Sequence, residues 1–269
     1  MRGRSGHISS MDALTEAILP YKSIAVAVWF ALFFVAERAY PAAITNRGWF
    51  GDWPRLLRNG GLFAANSGLS LLVILPLSLW AAGFEVGLRP AWWSGWAGLG
   101  LDLLLLDFWI YWWHRANHAV PLFWRFHEVH HLDRFLDATS AVRFHFGEVL
   151  LSASVRACVI IAFGIPFTNI VVFEGVLLFS VIFHHSNLRL ARWVEKPASL
   201  LIITPGIHWV HHHAVRADTD SNYGTLFSFW DRLFGSMSPT KRTLDMEIGT
   251  ENRPEPSFLG LLLSPFRQR

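Results

Sequence analysis

A single cysteine, Cys158, stands among the 269 residues of this chain. One cysteine excludes an intrachain disulfide, a cysteine-ligated zinc site and an iron–sulfur cluster. Its place in an apolar run is that of a small hydrophobe. Charge is scarce too: Asp, Glu, Lys and Arg together make up 16% of the chain, against roughly 25% in an average globular protein. The formal charge of +3 comes from arginines scattered between apolar runs. They form no dense basic stripe, which argues against nucleic acid as a partner. No G-x-G-x-x-G opens a helix after a strand, and no flavin, haem or nicotinamide fingerprint is present. Any electrons the chemistry needs would therefore come from a separate reductase, cytochrome or ferredoxin-like donor. There is no internal repeat and no low-complexity segment.

What the chain has in abundance is apolar and aromatic mass. The hydrophobic fraction is 52%, with 14 Trp and 22 Phe, and the mean hydropathy is +0.33. This composition is that of a membrane protein, with aromatic residues of the kind that sit at lipid–water interfaces. The start, residues 1–20, is polar and ragged, and Met11 is an alternative initiator. Apolar runs follow at 24–36, 62–82, 93–113, 149–163 and 170–183. The first resembles a signal-peptide core in length, but no A-x-A-like site follows it, so an uncleaved helix is expected. Residues 37–60 read as a polar loop carrying Arg38, Arg47, Arg55 and Arg58. Pro76 should kink the second run. Asp102 and Asp107 interrupt the third, where carboxylates are costly and face a protein interior. They either bond neighbouring helices or support a site. The last two runs flank Gly164-Ile165-Pro166 and are short, so a tilted or re-entrant hairpin is an alternative to full spans. A final patch at 258–263 is too short to cross.

The arginines set the orientation. The 37–60 segment and the 114–148 segment, with Arg115, Arg125, Arg134 and Arg143, lie on one side when two spans separate them. The positive-inside rule makes that side cytoplasmic. Residues 184–269 return to the same side. The expected architecture is all-α and integral to the membrane. It comprises four to five transmembrane helices under a cytoplasmic, helical, histidine-rich cap built from 114–148 and 184–235. Three parts follow: residues 1–61 with the first membrane helix and basic loop, 62–238 as the catalytic domain, and 239–269 as a peripheral tail.

Twelve of the thirteen histidines lie between His114 and His213; His7 stands apart and carries no role. Three segments hold a pattern. His114 and His118 are spaced i, i+4. His127, His130 and His131 form H-x-x-H-H, and His208, His211 and His212 repeat it. Residues at i, i+3 and i+4 share one face of a helix. Each H-x-x-H-H unit can then aim three imidazoles at a common point, and the first segment two. Eight such nitrogens are too many for one tetrahedral zinc and suit two metals with open positions. A lone i, i+4 histidine pair would more often be incidental. Two repeats and a third pair are not, because so many buried imidazoles would otherwise lack partners. Imidazole suits iron, zinc, copper or nickel, so spacing leaves the metal open.

The run Asp107-Phe-Trp-Ile-Tyr-Trp-Trp-His-Arg-Ala-Asn-His118 resembles the first histidine box of the fatty acid hydroxylase/sterol desaturase superfamily. The H-x3-H and paired H-x2-H-H spacings are similar to that family's boxes, as are Arg143-Phe-His145-Phe-Gly-Glu148, His185-Ser-Asn187 and Asp220-Ser-Asn-Tyr-Gly224. The resemblance covers roughly residues 100–235. It implies a membrane-bound non-haem di-iron oxygenase that hydroxylates or desaturates a lipid (sterol, fatty acyl or ether lipid) with O₂. By that resemblance His114, His118, His127, His130, His131, His208, His211 and His212 are metal ligands. His145 and His185 are either further ligands or residues that orient one. His184 and His213 extend the boxes and read as supporting. Phe146 stands where many relatives carry proline. Glu128, Asp133, Glu148, Asn187, Asp218 and Asn222 are candidates to accept the outer ring N–H of a ligand and fix its tautomer, although any one of them can equally be ordinary loop polarity.

A competing reading uses His127-Glu128-Val-His130-His131 as H-E-x-x-H, with Glu128 the general base of a membrane zinc hydrolase. It leaves the other boxes unexplained. A metal transporter would want histidines along a membrane path, whereas these lie beyond the helix ends.

Overall fold

The computed structural model describes residues 17, 19–43, 52–84, 86 and 88–267. His7, Met11 and Arg47 lie outside them. Among the described residues the chain is helical, with isolated bridges and no β-strand. The longer helices are α1 (Lys22–Ala39), α2 (Trp53–Leu69), α3 (Leu75–Ala82), α4 (Gly95–Ala119), α5 (Pro121–His131), α6 (Phe146–Phe163) and α7 (Phe167–His185). Shorter ones follow: α8 (Arg192–Leu201), α9 (Pro205–His211), α10 (Arg216–Thr219), α11 (Phe229–Leu233) and α12 (Phe258–Leu263).

Three segments are long and apolar enough to cross a membrane: Trp53–Ala82, Phe146–Phe163 and Phe167–His185. They contain the second, fourth and fifth expected runs. The first and third fall in α1 and α4, which carry Lys22, Glu37 and Arg38, and Asp102 and Asp107, respectively. The spanning segments expose much of their surface, Leu71 and Leu72 among it, as lipid-facing helices do.

Residues 53–60, expected as loop, are instead the first turns of α2. Asp52 caps the helix by accepting from the Arg55 N–H at 3.4 Å, and Pro54 occupies the first turn, a position that tolerates its missing N–H. With the π turn at Ser70–Ile74 and α3, this segment runs 30 residues. That is about 45 Å at the helical rise, longer than the roughly 30 Å hydrocarbon core. The π turn directly precedes Pro76. Widening of the helix there takes up the missing N–H and the ring clash that proline imposes on the preceding turn.

Gly164, at φ +55°, closes α6 in the left-handed conformation that glycine takes without a Cβ penalty, and Pro166 then starts α7. The hairpin so formed packs on α3 and α4 through Ala81, Leu106, Ala157, Ile160, Ile165, Ile170 and Phe173. Asp102 and Asp107 are buried in this bundle and bond neighbouring segments. Asp102 takes two bonds from Arg89 and one from Asn169. Asp107 accepts from the Leu226 and Phe227 N–H groups and from the Trp230 indole.

At the other end of the bundle a buried polar knot joins α2 to the chain after α5. Arg55 grips Asp133 through Nε and Nη2 and Asp137 through Nη1 and the same Nη2. Burial alone would raise the Asp133 carboxyl, but Arg55 and Arg143 outweigh it and hold it at about 2. Part of the segment expected to be peripheral, residues 253–262, packs into this region. Glu255 pairs with Arg58 and Arg143, each at 2.6 Å, and Leu261 is buried with Leu62, Val129 and Leu132.

Candidate metal centre

α4 brings in His114 and His118 one turn apart, α5 brings His127, His130 and His131, α7 ends on His185, and α9 with the residue after it brings His208, His211 and His212. They form two groups. One comprises His114, His118, His127, His131 and His211; the other comprises His130, His185, His208 and His212. In each, the nearest ring nitrogens all lie within 4.8 Å of one another. The groups adjoin, with the His131 and His212 rings stacked at 4.4 Å.

The expectation that each H-x-x-H-H unit converges on one point is corrected here. Each unit divides its histidines between the two groups. Successive residues turn by about 100° around a helix, so positions i and i+4 lie about 40° apart and i+3 falls about 60° to the other side of i. His127 and His131 thus go to the first group while His130 goes to the second. In α9 the assignment is reversed: His208 and His212 go to the second, His211 to the first.

Outer hydrogen bonds hold most of these rings. Nδ1 of His114 donates to the Tyr223 carbonyl at 2.9 Å, His130 to Arg143 O at 3.0 Å, His185 to Val181 O at 2.8 Å and His211 to Ser221 O at 2.7 Å. His127 bonds Glu148 at 2.8 Å and His118 bonds Asp220 at 3.1 Å. Carbonyl oxygens only accept, so Nδ1 carries the proton and Nε2 is left as a bare lone pair pointing inward. Those Nε2 atoms nevertheless crowd together, and with them crowd those of His131, His208 and His212, whose Nδ1 atoms are buried without a hydrogen-bond partner. The pairs His114–His127, His131–His127, His130–His185, His208–His185 and His212–His208 stand 3.0 to 3.2 Å apart. Nε2 of His118 and of His211 is buried with no hydrogen-bond partner.

Two lone pairs facing each other in a dry interior are unfavourable unless a cation lies between them. With metal–nitrogen bonds of about 2.0–2.1 Å, neighbouring ligands on an octahedral or tetrahedral ion lie about 2.8–3.4 Å apart. The donor set, its spacing and its tautomers therefore fit two nitrogen-bound metal ions. Burial pushes the imidazoles of His130, His131, His208 and His212 well below their ordinary value, and neighbouring imidazoles push them further. Burial takes His211 to about 3. The rings are thus neutral at pH 7, as metal ligands must be.

The remaining candidates sit elsewhere. His145 is not brought to either group: its Nδ1 accepts from the Gly147 N–H, capping α6, and its Nε2 bonds Leu262 O. His184 is buried against His208, ring centroids 4.1 Å apart. His213 pairs with Asp218 at 2.7 Å. Asn187 bonds the Ala43 backbone through both ends of its amide. Asn222, at φ +52°, bonds Ile207 O and Ser238 N–H. Asp133 belongs to the Arg55 knot. Of the predicted acceptors, Glu148 bonds a histidine of the two groups. Asp220 does so as well; its one signal in the sequence is its place at the head of the Asp220–Gly224 motif. Glu128, the base that the hydrolase reading requires, is buried and ion-paired to Arg253 at 3.1 Å.

Comparison with known proteins bears on this arrangement. Residues 99–236 match the sequence model of the fatty acid hydroxylase family. The chain is similar to the ornithine lipid hydroxylase OlsE of Rhizobium tropici, 26% identical over 95% of this chain and 81% of that protein. It is also similar to the alkylglycerol monooxygenase of Xenopus tropicalis, 32% identical over 55% of this chain and 31% of that protein. A third relative is the very-long-chain aldehyde decarbonylase GL1-5 of Oryza sativa subsp. indica, 29% identical over 55% of this chain and 25% of that protein. The chain thus spans a third or less of the length of the last two. No solved structure matches it.

Proposed function

The chain belongs to the fatty acid hydroxylase family, and we propose that it is a membrane-bound, non-haem di-iron oxidoreductase that uses O₂ and external electrons to hydroxylate or desaturate a lipid. The observation that carries the reading is the inward convergence of nine histidine rings in two groups, six of them with Nδ1 committed to an outer acceptor.

In this proposal His114, His118, His127, His131 and His211 hold one iron, and His130, His185, His208 and His212 the other. The iron pair, when bound, supplies the redox change that lets O₂ attack an unactivated C–H bond. The protein's part is orientation and exclusion. Glu148 and Asp220, with the Tyr223, Arg143, Val181 and Ser221 carbonyls, fix tautomer and ring plane. The bundle beneath presents an apolar route by which a lipid chain reaches the site from the bilayer. With the basic segments cytoplasmic, the site faces that side, where an electron donor can dock. The relative matched over 95% of the chain is an ornithine lipid hydroxylase, which favours hydroxylation of a polar acyl lipid over desaturation.

Lipid mass spectrometry of cells with and without the gene, grown under isotopically heavy O₂, tests this. A hydroxylated lipid that carries the heavy oxygen and disappears with the gene is expected. A gene-dependent lipid whose new oxygen comes from water would refute it.

A further inference from the structure

α8 leaves an apolar stripe uncovered. Trp193, Pro197, Leu200 and Leu201 follow the i, i+4, i+7, i+8 pattern of one helix face and are all exposed, Trp193 at 81%. Leu233, 66% exposed, lies nearby: its neighbour Arg232 bonds the Ser199 and Leu200 carbonyls. Arg189, Arg192 and Lys196 border the stripe, are exposed and make no ion pair among the described residues. The one acidic residue of α8, Glu195, is turned inward onto Thr204.

The height of this helix is fixed by its neighbours. Leu201 O accepts from Ser228 N–H and Ile203 N–H donates to Leu226 O, both at 3.0 Å. Leu226 N–H in turn donates to Asp107 at 3.0 Å, and the adjacent Thr225 O accepts from Ser180 at 2.8 Å. Asp107 lies two turns below His114 on α4, and Ser180 lies below His185 on α7. At the helical rise these are roughly 10 and 8 Å beneath the metal-site rings, toward the apolar bundle. The C-terminal end of α8 is thereby tied at the depth where α7 enters its apolar segment.

We propose that α8 lies in the plane of the bilayer interface as an anchor for the cap, with Trp193, Leu200 and Leu201 among the acyl chains and Arg192 and Lys196 against anionic lipid phosphates. The occupant is the bilayer surface itself. The stripe is continuous in depth with the lipid-facing helices, and its border is cationic, with no ion pair among the described residues. This is the pattern of an interfacial helix, with tryptophan at the level where its ring is favoured. The proposal rests on the membrane-bound reading above, and holds the metal centre at a set height over the leaflet.

The test uses single-cysteine variants of the full chain in a Cys158→Ser background, spin-labelled and reconstituted in nanodiscs. Collision with O₂ and with a water-soluble nickel chelate is then measured. Labels at Trp193→Cys and Leu200→Cys should favour O₂ over nickel, and one at Lys241→Cys the reverse. In phosphatidylglycerol discs the first two labels should sit deeper than in phosphatidylcholine, and Arg192→Gln with Lys196→Gln should remove that difference. Nickel access at positions 193 and 200 equal to that at 241 would overturn the anchor. So would shielding from both reagents with dipolar broadening, the sign of a second copy. Equal depth in the two lipids would overturn the anionic preference. A control at Val176→Cys in α7 separates the readings: nickel access there would sink the membrane assignment itself.

Discussion

Nε2 of His130 and Nε2 of His185 stand 3.1 Å apart, while the Nδ1 atoms of the same rings donate to the Arg143 and Val181 carbonyls. Neither ring in its neutral form has a proton left to share with the other. Only a cation makes that approach favourable. His145, which the histidine count puts on an equal footing with His185, has both ring nitrogens engaged elsewhere.

His185→Ala should therefore lose about one metal equivalent and all activity, whereas His145→Ala should keep both metals. Metal analysis of the two purified proteins checks this. Equal losses would contradict the division into groups.

Removing an outer acceptor should weaken the site without emptying it. Glu148→Gln and Asp220→Asn should each cost about 10–100-fold in metal affinity or activity, measured by competition with a chelator. Glu128→Gln should leave O₂-dependent turnover measurable, because Glu128 faces Arg253. Loss of all activity in Glu128→Gln with metal retained would favour the hydrolase.

Arg55→Met should strand Asp133 and Asp137 as buried charges. Breaking such a pair costs about 3–5 kcal/mol, so the thermal transition in detergent should fall steeply or the protein should fail to accumulate. The double change Asp133→Asn with Asp137→Asn should recover part of that loss in the Arg55→Met background. No recovery would mean that Arg55 acts through packing alone.

Stability of the metal-free protein should fall with acid. The folded-state imidazole values of His130, His131, His208, His211 and His212 are lowered, so below the ordinary value near 6.5 the unfolded chain binds more protons than the folded one. Each such ring removes about 1.4 kcal/mol per pH unit below that point. Melting temperature at pH 7 should exceed that at pH 5.5, and a flat profile would contradict neutral burial of the rings.

Much of the site is visible in the sequence because helical spacing fixes which histidines share a face. The i, i+4 pairs of α4 and α5 are of that kind. How a unit divides is not visible, since it depends on where α9 and α7 approach α5. His185 and His145 each sit at a helix end outside the spaced boxes, and only the local bonding of the ends distinguishes them. The acceptors Tyr223 O, Arg143 O, Val181 O and Ser221 O are backbone groups, which leave no residue signature. In the fold, the apolar runs gave α3, α6 and α7 by composition. The first turns of α2 were hidden because Arg55 and Asn59 are polar yet buried in the knot that Asp133 and Asp137 complete, partners some eighty residues away.

The account turns on two irons in one chain, and the metal content of active protein tests it most directly. Protein purified in detergent from iron-replete cells, with turnover measured on the same sample, should hold about two iron ions per chain, as the two nitrogen-donor groups require. A single metal ion per chain, with zinc supporting full activity, would contradict it.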